Sequence, residues 1–181
     1  MEILKTALDG VLIIKPKVFE DSRGYFFESF NLKKYQEAGL NFNFVQDNIS
    51  KSQRGTVRGL HYQIGDKVQG KLCFVLFGIV LDVAVDIRFN SPTFGKYHSE
   101  ELSAENHKQL WIPPGFAHGF SVLSDFAIFA YKCTDYYSKE HERAILYSDP
   151  ELNIDWKVEL PIVSEKDKVA IPFNKMEKDF I

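Results

Sequence analysis

A histidine, a lysine and a second histidine stand at His61, Lys71 and His118 of this 181-residue chain, each in a segment that otherwise reads as β-strand or turn. The first lies in Arg58-Gly59-Leu60-His61-Tyr62-Gln63 and the last in Pro113-Pro114-Gly115-Phe116-Ala117-His118-Gly119-Phe120. A packed β-core has little use for such groups, because each buried charge must be paired or desolvated at a cost of several kcal/mol. Together they point to a site. Imidazole is the side chain whose ordinary pKa lies nearest neutrality, so His61 is a candidate proton carrier, although a lone histidine is more often structural. Lys71 shares a strand face with Cys73 and Val75, so its ammonium faces an enclosed space unless the stem snorkels outward. Tyr131 sits on an aromatic strand, and its hydroxyl needs a partner if it is buried. Asp167 ends Ser164-Glu165-Lys166-Asp167, a capping-box pattern, and on its own reads as a helix cap. The other histidines, His98, His107 and His141, lie in polar segments expected to be exposed.

The elements that must hold these groups are mostly strands. Residues 79–88 alternate, with Leu81, Val83, Val85 and Ile87 on one face and Asp82, Ala84, Asp86 and Arg88 on the other. Residues 71–77 form a near-continuous apolar strand before them, and Gly78 supplies the turn. Further strands are expected at 11–14, 25–30, 44–46, 110–112, 119–123 and 127–132, punctuated by turns such as Asn90-Ser91-Pro92 and Ser124-Asp125. Many short strands at this spacing indicate an antiparallel sandwich or barrel. Helix is scarce. Residues 32–38 fit one, with Asn31 as N-cap and Gly39 as terminator, and Ser164 opens another. From about Ser138 the chain is expected to be irregular or helical.

Composition narrows the class. The length fits one domain able to bury a sizeable core without staples. A net charge of −3 and a pI near 6.0 provide no basic field for a nucleic-acid duplex. The start, Met1 to Gly10, has no apolar run of signal-peptide length, no segment approaches the 18 apolar residues of a membrane span, and Cys73 and Cys133 form no CxxC pair, so they read as buried hydrophobes. A cytoplasmic protein is expected.

Metal binding and metal-free acid–base chemistry compete for the histidines. Pro114-Gly115-x-x-His118 is similar to the second motif of the cupin superfamily, whose metal-dependent members use three histidines and a carboxylate. The first cupin motif requires His-x-His with a nearby Glu, and here His61-Tyr62-Gln63 has neither. A metal wants at least three protein ligands, so a cupin barrel that has exchanged its metal for acid–base groups fits better.

The chain as a whole resembles the dTDP-4-dehydrorhamnose 3,5-epimerase family of nucleotide-sugar epimerases. The resemblance spans roughly residues 17–171. It rests on Asp21-Ser22-Arg23-Gly24-Tyr25-Phe26-Phe27-Glu28, Gln46-Asp47-Asn48-Ile49-Ser50 and Gly55-Thr56-Val57-Arg58-Gly59-Leu60-His61-Tyr62-Gln63, followed by Gly70-Lys71-Leu72. It continues through residues 82–88 and 91–95, the Pro114–Phe120 block, Tyr131-Lys132-Cys133-Thr134 and Ser164-Glu165-Lys166-Asp167.

The resemblance implies an all-β, cupin-type jelly-roll barrel with a few short, mostly C-terminal helices, and a homodimer that exchanges N-terminal strands. It implies epimerisation of a nucleotide-linked 4-keto sugar for surface polysaccharide synthesis, with no redox cofactor and no metal. Protons at C3 and C5 of such a sugar are acidic, because either carbanion delocalises onto the C4 oxygen. By resemblance, His61 is the base and Asp167 orients it. Lys71 stabilises the enolate oxygen, and Tyr131 is the acid on the opposite face. His118 belongs to the same pocket, with Asp82 a candidate partner. Arg58 matches the pyrophosphate ligand, while Phe19 and Arg23 would reach the neighbouring subunit's nucleotide. Glu28, Gln46, Asn48, Tyr137 and Lys168 complete the implied binding set.

One departure bears on substrate. The family usually carries proline in the loop before Gln-x-Lys-Leu, where this chain has Ile64-Gly65-Asp66-Lys67-Val68-Gln69-Gly70-Lys71-Leu72. Relatives of this architecture act on other nucleotides and longer sugars, so dTDP-hexoses and GDP-heptoses both stay open, as does inversion at one carbon or two. A metal-dependent cupin enzyme and a non-catalytic nucleotide-sugar binding module are the rival readings.

Overall fold

Period-two alternation carries the chain into two antiparallel sheets. The structure is a computed structural model describing residues 1–180. One sheet runs β1 (Glu2–Lys5), β2 (Leu12–Lys15), β10 (Gln109–Ile112), β7 (Lys71–Phe77), β12 (Phe126–Cys133) and β5 (Gln46–Gln53). The other runs β13 (Glu142–Ala144), β6 (Val57–Gln63), β11 (Phe116–Val122), β8 (Ile79–Asp86) and β9 (Tyr97–Ser103). A separate hairpin pairs β3 (Phe19–Asp21) with β4 (Gly24–Phe26). The fold is a cupin-type jelly roll, in which helix is confined to α1 (Leu32–Glu37), α2 (Glu165–Lys168) and two 3₁₀ turns. No helix among the described residues is long and apolar enough to cross a membrane.

Three apolar layers hold the sheets. Val75, Leu110 and Phe129 of the six-stranded sheet meet Val80, Leu102 and Phe120 of the five-stranded one between them. The outer face of the five-stranded sheet packs Leu60, Val83 and Val85 against Ile145, Leu152 and Trp156 of the C-terminal segment. The outer face of the six-stranded sheet is covered by Tyr35, Leu40 and their aromatic neighbours over Ile14, Leu72 and Trp111. Each fully buried side chain of this size contributes about 1.5–3 kcal/mol relative to exposure. Strand β8 therefore has two buried faces. Its supposedly polar side carries Asp82 and Asp86 into the interior, both fully buried.

Several expectations need adjusting. The strand expected at 25–30 stops at Phe26, because Phe27 stacks near His107 and Phe30 joins the cluster around Tyr35 and Phe44. Phe44 likewise belongs to that cluster, and the strand expected at 44–46 is instead the longer, polar Gln46–Gln53 at a sheet edge. Strands β1, β3, β9 and β13 lie outside the expected set. His98 is mostly buried, with 21% of its side chain exposed, since β9 packs it beside Glu100. Helix α1 agrees well: Asn31 caps it by accepting from the Lys34 amide at 3.3 Å, and Gly39 follows with φ +82°.

Candidate active site

Backbone contact brings β6 and β11 close enough to share a site. At Gly59, a Cβ would lie 2.6 Å from the Gly119 Cα, so only glycine permits the approach. The ladder then sets His61 directly opposite His118. Across the interior, β12 and β7 put Tyr131 opposite Cys73, two residue pairs from Lys71 opposite Cys133. Gln46 and Asn48 follow on β5, with Asn48 opposite Tyr131. Four strands thus aim His61, Lys71, His118 and Tyr131 at one end of the sandwich. A cleft of about 140 Å³ is lined there by His61, Lys71, Tyr131, Gln46, Asn48 and Tyr137 among others.

His61 is held from the far end of the chain. Its Nε2 lies 2.6 Å from Asp167 Oδ1, and Asp167 Oδ2 accepts from the Gly59 amide at 3.5 Å. Asp167 does not complete the capping box. Ser164 caps α2 by accepting from the Asp167 amide at 3.1 Å, while the carboxylate turns to the histidine. Burial alone would raise the Asp167 carboxyl, but the His61 contact and the amide and hydroxyl bonds outweigh it and hold the pKa below its ordinary value. An ionised Asp167 fixes the Nε2–H tautomer and leaves Nδ1 as the basic nitrogen.

His118 is arranged differently. Its Nε2 lies 2.7 Å from Asp82 Oδ1, and its Nδ1 is 3.5 Å from the Lys71 ammonium. Burial lowers its pKa, and the Lys71 and His61 charges act in the same direction against Asp82. A neutral imidazole donating to Asp82 and accepting from Lys71 satisfies every one of these contacts. Lys71 also sits 5.8 Å from the Tyr131 ring centroid. Burial, above all, pushes the Tyr131 phenol up to about 12, so it keeps its proton at neutral pH and can act as an acid.

Cys73, Asp82 and His118 bring one potential metal-ligand atom each within 4.8 Å of one another. Two features oppose a cation there. Burial drives the Cys73 thiol well above its ordinary pKa, and the Lys71 ammonium already occupies the open side of His118. A thiol must ionise to ligate well, and a second cation beside Lys71 costs repulsion.

Arg58 reaches from β6 to the edge strand of the other sheet, its Nε donating to Ser52 Oγ on β5 at 3.1 Å. A groove of about 620 Å³ runs from there past His61 to Lys166 and Asp167. The remaining expected residues are not gathered within one chain. Phe19 is 52% exposed, and among the described residues Arg23 pairs only with Asp21. Glu28 binds Lys34 and accepts from Asn31 at 2.9 Å, away from the His61 cleft. Lys168 also points elsewhere, its ammonium 2.6 Å from the exposed Glu165. The lysine that reaches the site is Lys166, 2.5 Å from Glu142. Glu142 lines the cleft and accepts from the Tyr137 hydroxyl at 3.1 Å. Sequence reasoning missed it, since nothing in Glu140-His141-Glu142 signals that β13 will pair Glu142 with Gln63.

Comparison with known proteins identifies the family. The family model for dTDP-4-dehydrorhamnose 3,5-epimerase matches residues 5–175. A Shigella flexneri dTDP-4-dehydrorhamnose 3,5-epimerase is 58% identical, covering 92% of this chain and 93% of its own. The Pseudomonas aeruginosa enzyme of the same name is 54% identical over 96% of each chain. A solved Legionella pneumophila dTDP-6-deoxy-D-glucose-3,5-epimerase, in complex with dTDP-4-keto-L-rhamnose, superposes with a TM-score of 0.93 at 54% identity, covering 97% of this chain and 94% of its own. With its jelly roll, its paired histidines and a match along nearly its whole length, the chain belongs to the dTDP-4-dehydrorhamnose 3,5-epimerase family of isomerases.

Proposed function

We propose that the chain inverts both C3 and C5 of a dTDP-linked 4-keto-6-deoxyhexose by proton removal and return through an enolate. The observation that carries this reading is the division of one cleft between a carboxylate-held base, His61, and a protonated phenol, Tyr131, with the Lys71 ammonium beside that phenol. His61 takes the proton from one face through Nδ1, and Asp167 stabilises the imidazolium that forms. Charge developing on the C4 oxygen meets Lys71, which the His118–Asp82 pair supports from behind. Tyr131 delivers a proton to the other face. No electrons change hands, so the reaction calls for no redox cofactor. Arg58, with Gln46 and Asn48, is assigned to the diphosphate and its flanking groups.

The dTDP-hexose is favoured over a GDP-heptose by the names of relatives above half identity along the chain. A homodimer belongs to the same reading. Phe19, Tyr25 and Phe26 are more than half exposed on the β3–β4 hairpin, and Arg23 projects from its turn with no partner beyond Asp21 among the described residues. Exchange of that hairpin would cover the aromatic surface and carry Arg23 and Phe19 to the partner's nucleotide. A cytoplasmic location accompanies it, since two free cysteines suit a reducing compartment.

The test is incubation in D₂O with dTDP-4-keto-6-deoxyglucose and, separately, a GDP-linked 4-keto-heptose, with deuterium followed at each carbon by NMR. Label at C3 and C5 of the hexose, with inversion, is expected. Label at one carbon alone would reduce the reaction to a single epimerisation, and binding without exchange would leave only a nucleotide-sugar binding module.

A further inference from the structure

Gln63 ends β6, two residues beyond His61, and is 6% exposed. A buried primary amide has to find partners for two N–H groups and a carbonyl. Here Nε2 donates to the Lys67 carbonyl at 2.6 Å and to the Tyr136 carbonyl at 3.1 Å, while Oε1 accepts from the Ser138 amide at 2.6 Å. Only one orientation of the amide works. The flipped one would face oxygen to two carbonyls and N–H to N–H.

Two of these three bonds converge on one residue. Tyr136 and Ser138 are the two chain neighbours of Tyr137, so a single side chain grips the backbone on both sides of it. Tyr137 contributes to the cleft wall, where its own amide donates to Gln46 Oε1 at 2.9 Å and its hydroxyl to Glu142 Oε2 at 3.1 Å. The third bond reaches the loop between β6 and β7. That loop holds Gly65, at φ +65°, in a 3₁₀ turn closed by the Lys67 amide donating to the Ile64 carbonyl at 3.2 Å, and the Gln63 bond to the Lys67 carbonyl ties the end of this turn back to β6. Gln69 repeats the device with one bond, donating to the Asp135 carbonyl at 2.6 Å. By contrast, His61, Lys71 and Tyr131 are set by backbone pairing, His61 opposite His118, Tyr131 opposite Cys73 and Lys71 opposite Cys133, that does not pass through Gln63's side chain.

We propose that Gln63 is a positioning residue for substrate binding: it holds Tyr137 and the β6–β7 loop as the wall of the cleft, and acts on the nucleotide sugar through Tyr137 rather than by touching the reacting carbons. The inference rests on the epimerase reading above. Removing the amide releases the wall but leaves base, acid and enolate cation in place. Binding then weakens while the chemical step persists.

The experiment is steady-state epimerisation of dTDP-4-keto-6-deoxyglucose by the full chain, with Gln63→Ala, Tyr137→Ala and the double variant. Turnover by the unaltered chain tests the epimerase reading alone, so its failure is separable from failure of the Gln63 assignment. For Gln63→Ala, KM is expected to rise roughly tenfold or more, with kcat within about threefold. The double variant should be scarcely worse than Tyr137→Ala, because two residues acting through one contact are not additive. Gln63→Met, which keeps most of the volume without the bonds, repeats the measurement if the alanine variant folds poorly, and should give the same KM-specific loss. A lowered Tm with KM unchanged would reduce Gln63 to a stabilising residue and overturn the proposal. Strictly additive losses in the double variant would overturn it equally.

Discussion

His61 and His118 face each other across one rung of the β6–β11 ladder, yet each imidazole answers to a different carboxylate. Asp167 takes the first at 2.6 Å and Asp82 the second at 2.7 Å. The consequence is a difference in task. His61 is partly exposed and borders the cleft, whereas His118 is buried, held neutral, and turned toward Lys71. Two like side chains on the same rung thus serve as proton carrier and as support for a cation.

From this division, His61→Asn should cut the rate of solvent-proton exchange into the sugar by roughly 10²–10⁴-fold without unfolding the chain. Asp167→Asn should act in the same direction by on the order of 10²-fold or more, because an amide cannot stabilise the imidazolium and can present N–H where the histidine needs an acceptor. Exchange followed by NMR in D₂O measures both. A His61→Asn variant retaining more than a tenth of the activity would falsify the base assignment.

Tyr131→Phe separates the two halves of the reaction. Deprotonation by His61 does not need the opposite-face acid, so some deuterium exchange should persist while inversion slows. The ratio of exchange to inversion is the quantity to measure. Equal loss of both would mean that Tyr131 takes part before reprotonation.

Prolonged dialysis against a strong chelator should leave epimerisation unchanged, given the Lys71 ammonium beside His118 and the raised Cys73 thiol. Activity lost to the chelator and restored by a single metal would relocate the chemistry to Cys73, Asp82 and His118. Metal content and rate, measured on the same sample, decide the matter.

The sequence made the strands around Lys71 and Tyr131 legible because they are apolar runs bounded by turn residues; their number indicated an antiparallel sandwich or barrel, and the family resemblance narrowed it to the cupin type. Gln46–Gln53 was underread for the opposite reason. It is a sheet-edge strand of mostly polar residues, so its alternation in burial has no counterpart in hydrophobicity. Asp167 looked like a cap because a capping box is a local pattern, while its partner lies 106 residues away. Lys166 and Lys168 could not be told apart without the helix: its turn sends one to Glu142 and the other to Glu165.

The loop after β8 offers a stability test with a definite pH sign. Asp86 is fully buried and receives bonds from Arg88, Ser91 and Thr93. Burial would raise its pKa, but those bonds together prevail and hold it at about 2, below the ordinary 3.8. A depressed carboxyl gives stability that is fully present above the unfolded pKa and is lost as pH falls through the folded one. The contribution is roughly 2 kcal/mol at neutral pH. Asp86→Asn should lower Tm by roughly 4–8 °C at pH 7, and the gap from the unaltered chain should shrink as pH drops from 4 toward about 2. Thermal melts across that range measure it, and a gap that widens in acid would contradict the assignment.

The exchanged hairpin can be tested by complementation. Arg23→Ala alone should raise KM more than it lowers kcat, because Arg23 is assigned to a part of the substrate that does not react. His61→Ala alone should be nearly inactive. If Arg23 serves the partner's cleft, a mixed dimer of the two variants combines one site carrying both defects with one site carrying neither. Mixing should then restore activity at low substrate, where the Arg23→Ala sites are poorly filled. If Arg23 serves its own cleft, every site in the mixture keeps one defect, and activity cannot exceed the average of the parents. Subunit exchange has to be verified in the same sample, for instance with one variant carrying a mass tag, so that the absence of recovery counts against the shared site rather than against mixing.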